Sequence, residues 1–154
     1  DVFSYKKLLK KNRKAYSINA CYSLTGYPTL VDFKTVSGYP ELSSIKKLDQ
    51  TEIKASPPKT ASNRQHERMR NALCLPFYSI ILALGNPVVD YLSLDIEGTE
   101  LPVLKTIPWH RVNIKVVSIE CGLIDSCLDI RKFMQSVGYF FVVQHRQDII
   151  LMRK

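Results

Sequence analysis

The sequence has no apolar run of the roughly twenty residues that a membrane-crossing helix needs. The nearest stretch, Leu73 to Leu84, is interrupted by Pro76. A basic-then-apolar leader, an N-x-S/T sequon and an internal repeat are missing too. The four cysteines, Cys21, Cys74, Cys121 and Cys127, include no CxxC pair. That excludes the zinc spacings and the dithiol redox motif. Cys21 and Cys121 fall in strand-like runs, where a small buried hydrophobe is the expectation; a disulfide suits an oxidising setting, but the spacing does not place one. His66, His110 and His145 are too scattered for a metal site, and no metal is expected.

What is present suits one domain. The chain has 154 residues, 45% hydrophobic and 23% charged, enough to bury a core and not the composition of a disordered chain. The net charge of +8 permits attraction to phosphate or to an anionic surface without requiring either. Much of the excess lies in Lys6, Lys7, Lys10, Lys11, Arg13 and Lys14, which share a helical pattern with Tyr5, Leu8 and Leu9. A solvated helix face explains them, and with no aromatic–basic motif beside it no nucleic-acid partner is expected.

Along the chain, Ser4 is a credible cap for a helix through about Lys14, and Ala15 to Ser23 reads as a strand. Thr29 to Val36 gives a second strand after the Gly26-Tyr27-Pro28 turn. From about 37 to 63 the composition turns to Ser, Pro, Lys and Thr, which reads as a mobile loop. Arg70 to Gly85 carries a helical pattern whose start Pro76 sets near Leu75, with Gly85 as its C-cap. Asn113 to Cys121 is a near-continuous apolar run, as in a buried parallel strand. Asp125 or Ser126 caps a helix that Gly138 closes, and Tyr139 to Val143 with Ile149 to Met152 make a terminal β-hairpin. Trp109 is expected to pack on the sheet edge, and Tyr139, Phe140 and Phe141 to be core and edge residues.

The most informative stretch is Val88 to Lys105. A β-rich run ends in Asp95-Ile96-Glu97-Gly98, and a helical pattern begins with Thr99 as N-cap. In an open α/β sheet, functional groups gather outside the carboxyl ends of parallel strands, where loops open into a crevice. Asp95, Glu97 and Glu100 would sit there, and Glu120 ends the next strand in the same way. Carboxylates so grouped are costly to desolvate, so they call for a cation, a polar substrate or a water-filled cleft. The plainer alternative is an acidic loop in which Glu97 and Glu100 favour a helix N-terminus.

Leu94-Asp95-Ile96-Glu97-Gly98-Thr99-Glu100-Leu101-Pro102-Val103-Leu104-Lys105 resembles the D-x-E-G-x-E-x-x-V-L-K signature of the FkbM-type methyltransferase family. Thr106-Ile107-Pro108-Trp109 and the upstream run Lys11 to Ser23 most resemble its Star-like arthropod branch. The resemblance implies an α/β, Rossmann-like fold that binds S-adenosylmethionine, with an antiparallel C-terminal hairpin. It implies Asp95 and Glu97 as catalytic candidates, Asp95, Gly98 and Asp1 at the cofactor, and Glu100 and Glu120 at the substrate. Asp95 would polarise or deprotonate an acceptor, or hold the methionine ammonium.

Methyltransferases of this fold also carry a Gly-rich turn after the first strand and an acidic residue ending the second. The six glycines here form no GxG pair. Aligned by resemblance, the chain starts just after the ribose-binding position, with Asp1 as its remnant. The expectation is a partial domain, residues 1–154, whose first two strands are missing. Two functions follow: transfer of a methyl group to an unknown oxygen acceptor, or a non-catalytic role in trafficking membrane-protein cargo. The branch implies the endomembrane system (endoplasmic reticulum, Golgi, late endosome) or the plasma membrane, with any anchor outside these residues; a cytoplasmic place is the alternative.

Overall fold

The structure is a computed structural model and describes residues 2–11, 13–36, 44–45, 67–122 and 124–154. The chain divides into two compact units, the first comprising Asp1–Ala20 and Leu30–Leu73, the second Cys21–Thr29 and Cys74–Lys154.

In the first unit α1 spans Val2–Leu9. Ser4 therefore lies inside the helix rather than capping it, and the helix stops well short of Lys14. Its last turn closes through Lys11 N–H to the Leu8 carbonyl at 3.0 Å. Beyond Leu9 the sequence offers only Lys10, Lys11, Asn12, Arg13 and Lys14. Those cations repel one another and bring no apolar residue that would repay ordering another turn. Strand β2 (Thr29–Val36) forms where expected and pairs antiparallel with β3 (Ser44–Ile45), Phe33 opposite Ile45. β3 falls inside the stretch read as a loop; the rest of that stretch lies outside the described residues.

The second unit begins with β1 (Cys21–Tyr22), all that forms a strand of the expected run from Ala15 to Ser23. It pairs in parallel with the end of β4 (Glu67–Leu75), Cys21 beside Cys74 and Tyr22 beside Leu75. Cys21 and Cys74 are joined as a disulfide, and Cys121 and Cys127 form a second. This corrects the expectation of buried thiols: a parallel register pair brings the first two together, and a short turn the second. Ser23, fully buried, donates to the Tyr27 carbonyl at 2.8 Å and fixes the following turn. Helix α2 (Phe77–Ala83) starts after Pro76, as the pattern indicates, while Leu73 belongs to β4. Proline is accepted there because it donates nothing and its φ suits a helix start.

The same unit holds a sheet in the order β5-β6-β8-β7, from β5 (Val89–Leu94), β6 (Ile114–Glu120), β7 (Tyr139–His145) and β8 (Asp148–Arg153). β5 and β6 are parallel, and β8 runs antiparallel to both its neighbours. Helix α3 (Glu100–Thr106) forms the crossover from β5 to β6, and α4 (Ile124–Ser136) leads from β6 to β7. The α4 start puts Asp125 and Ser126 inside the helix, not at its cap. The terminal hairpin forms as read, turning at Arg146 and Gln147.

Leu92, Leu94, Val117, Ile119, Ile149 and Leu151 bury one sheet face beneath Leu104, Ile130 and Met134. Trp109 is core, not edge. Its ring meets Tyr139 edge-on at 5.2 Å and its Nε1 donates to the Leu104 carbonyl at 2.9 Å. Tyr139 in turn donates to the Ile114 carbonyl at 2.7 Å. Both indole and phenol thus have the partner that burial demands. The arrangement is mixed α/β.

Candidate functional site

The register of β5 and β6 positions the site. Leu94 lies beside Ile119, so one step further Asp95 falls beside Glu120. Both stand at the carboxyl ends of adjacent parallel strands. Side chains alternate along a strand, so these two share the face that carries Ser93 and Ser118, away from the apolar core.

After Asp95 the backbone turns through two left-handed residues, Glu97 at φ +57° and Gly98 at φ +88°. A side chain on Gly98 would meet no neighbour; the glycine is needed for its dihedral, not for crowding. The turn is held from inside by Glu100, only 4% exposed. Its Oε1 accepts the N–H of Ile96 at 2.9 Å and of Gly98 at 3.1 Å. Thr99 stands at the N-cap, yet its hydroxyl donates to the Ile96 carbonyl at 3.0 Å rather than accepting from the helix.

A buried carboxylate with two amide donors anchors the turn on which Glu97 and Gly98 sit. Glu100→Ala is expected to cost about 1–3 kcal/mol, because both amides would be left without an acceptor. Chemical denaturation measures this, and Glu100→Gln, which keeps the oxygen, should lose less.

One carboxylate oxygen from each of Asp95, Glu100 and Glu120 lies within 4.8 Å of the others. Crowding shows in Glu120, whose pKa rises from 4.5 to about 7. The main cause is its hydrogen bond to Asp95; desolvation and the charges of Asp95, Glu97 and Glu100 add to it. Near neutral pH, therefore, Glu120 is poised between its two protonation states while hydrogen-bonded to Asp95, an arrangement suited to exchange a proton at working pH. The same oxygens match an organic cation, and among the described residues they are the set that could hold a hard divalent ion.

The elevated pKa also fixes a stability trend. The folded state keeps a proton that the unfolded chain has lost, so this contribution is full below about pH 4.5 and is lost as pH rises through about 7. The melting temperature is expected to fall between pH 5 and 8, and Glu120→Gln to flatten that fall. Thermal scans at both pH values test it.

Two neighbours escaped the sequence reading. Asp148 is the register partner of Glu120 across β8, adding a carboxylate to this corner. In the sequence it reads as part of the hairpin turn before Ile149, whereas the structure makes it the first residue of β8. Directly after Glu120, the Cys121–Cys127 disulfide ties the strand end to α4, and Cys121 N–H donates to the Gln147 carbonyl at 3.0 Å. Of the residues singled out in sequence, Asp95, Glu97, Gly98, Glu100 and Glu120 come together; Asp1 lies outside the described residues.

A family model described as the methyltransferase FkbM domain matches residues 7–141. No curated protein and no solved structure matches the chain.

Proposed function

Because the chain belongs to the methyltransferase FkbM family, we propose that the carboxyl ends of β5 and β6 form its methyl-transfer site, within a Rossmann-like sheet. The observation that carries this reading is the hydrogen-bonded Asp95–Glu120 pair on adjacent parallel strands, in which the Glu120 pKa is raised to about 7.

S-adenosylmethionine, when bound, supplies a methyl group on a cationic sulfonium. Asp95, Glu97 and Glu120 fit such a group by charge, since they concentrate negative potential where β5 and β6 end. Asp95, backed by Glu120, takes the proton of an acceptor hydroxyl as the oxygen becomes nucleophilic, and the pair spreads the incoming proton over two carboxyl groups. Glu97 adds charge from an exposed position. Glu100 holds the turn, so its contribution to acceptor binding is positional. Gly98 lets the chain enter α3 directly after the acids.

The cysteine pairing supports a compartment. All four cysteines lie in disulfides, and paired thiols belong to oxidising surroundings such as the endomembrane lumen. That is the setting in which the trafficking of membrane cargo, the second reading, would also operate. Alkylation of the native protein before reduction should label no cysteine.

The deciding experiment is calorimetric titration of this chain, and of the longest natural protein containing it, with S-adenosylmethionine and S-adenosylhomocysteine. Saturable binding that Asp95→Asn weakens supports the methyl-transfer site. Absence of binding by either form overturns it and leaves the fold to serve a partner.

A further inference from the structure

At the other end of the same strands lies a basic hollow. Asn86 precedes β5, Arg111 and Asn113 precede β6, Arg153 ends the antiparallel β8 and Lys154 follows it, so all collect at the amino ends of β5 and β6. Across a seven-residue strand that is roughly 20 Å from the carboxylates, at about 3.3 Å per residue.

The hollow measures about 470 Å³ and is lined by Asn86, His110, Arg111, Asn113, Arg153 and Lys154, with no carboxylate side chain among them. Arg153 is fixed in place: its Nη1 donates to the Val112 carbonyl at 2.6 Å. Its Nη1 also donates to Asn113 Oδ1 at 3.5 Å; a guanidinium has five N–H donors, which leaves Nε and Nη2 to meet a further acceptor. Arg111 Nε donates to His110 Nε2 at 3.3 Å, and Asn86 Nδ2 to the Arg111 carbonyl at 3.0 Å. These bonds hold the rim. Among the described residues, no carboxylate forms an ion pair with Lys105, Arg111, Arg153 or Lys154.

A second hollow, about 620 Å³, shares His110 and Arg153 with the first and is lined by Ile107, Trp109, Phe133 and Val137, with Lys105 at its side. An open cationic hollow thus lies beside a more apolar one. Unneutralised cations beside an apolar wall suit a ligand with an oxyanion at one end and a short hydrocarbon or ring at the other.

We propose that this paired hollow binds a phosphate monoester bearing an apolar group, independently of the methyl-transfer site. The phosphoryl oxygens take the donors of Arg111, Arg153 and Lys154, and the apolar part lies against Phe133 and Val137. Such chemistry is shared by free alkyl or aryl phosphates and by phosphatidic acid headgroups.

The test is an NMR titration of the ¹⁵N-labelled chain with hexyl phosphate, inorganic phosphate, and vesicles of phosphatidic acid in phosphatidylcholine. Hexyl phosphate should shift amides of residues 110–113 and 153–154, bind at least tenfold more tightly than inorganic phosphate, and lose at least tenfold in affinity in Arg111→Gln/Lys154→Gln. Both of those side chains are exposed and lie outside the carboxylate site. Saturation by free hexyl phosphate assigns a soluble ligand; a response at the same residues, lost in the double variant, to the vesicles alone assigns the lipid headgroup. Equal affinity of wild type and double variant, equal affinity for hexyl and inorganic phosphate, or no response to any probe would overturn the proposal.

Discussion

Asp95→Asn is expected to lower S-adenosylmethionine-dependent turnover by roughly 10²–10⁴-fold, the span that loss of a positioned general base produces. The substitution keeps the shape of the side chain and removes its charge and its capacity to accept a proton. Asp95 is exposed at the strand end, so its replacement leaves the core beneath Leu94 undisturbed. Turnover is followed as S-adenosylhomocysteine release, with a deproteinised pool of small metabolites as acceptors. A pH profile separates catalysis from simple charge attraction. Glu120 owes its high pKa chiefly to Asp95, so in the variant it should titrate closer to the ordinary carboxylate range, and any residual activity should shift to lower pH with it. Unchanged turnover in Asp95→Asn would remove the base assignment; an unchanged profile would break its coupling to Glu120.

The largest effect on stability is expected from the disulfide between Cys21 and Cys74. It closes a loop with a sequence separation of 53 residues, against 6 for Cys121–Cys127. In the chain-entropy account, a cross-link stabilises by restricting the unfolded ensemble, more for the longer loop. Cys21→Ala/Cys74→Ala should therefore cost about 4 kcal/mol and Cys121→Ala/Cys127→Ala about 2. For a chain of this length the first corresponds to a melting temperature lower by about 10 °C. Denaturant titration of the two double variants measures the ranking. If the shorter loop proves the costlier to open, local packing at the end of β6 outweighs chain entropy. The two pairs also differ in what they touch. Cys121 follows Glu120 directly, so opening that bridge should disturb the pH dependence of the carboxylate pair, while opening Cys21–Cys74 should not.

Several elements could be read from the sequence because local chemistry settles them. Pro76 has no amide hydrogen to donate, so a helix can begin there and a strand must stop. The near-continuous apolar run of β6 carries Ile114, Val117 and Ile119, which have to be buried. Asp95-Ile96-Glu97-Gly98 ends a β-rich run with a residue able to take positive φ, which gives a turn before α3. Elsewhere the local signal misled. Leu73 continues the helical spacing of α2 but lies in β4, since its backbone is taken up by the strand. Ser4 looked like a cap, whereas α1 already begins at Val2. Trp109 looked like an edge residue, yet the hydrogen bond to Leu104 and the ring of Tyr139 draw it into the core.

What the sequence by itself determined was the set of acids at the strand ends and the strand, turn and helix that present Asp95, because those depend on residues within a few positions of one another. The tertiary structure decided which carboxylates meet and what each then does. Glu120, twenty-five positions from Asp95 in number, becomes its neighbour only through the parallel register of β5 and β6. Glu100 turns inward to accept two amides because the left-handed residues before it aim those N–H groups at its side chain. The cysteines pair because strand register and a short turn bring them together. A contact made by register carries no mark in the composition of either strand, since pairing depends on backbone groups that every residue shares.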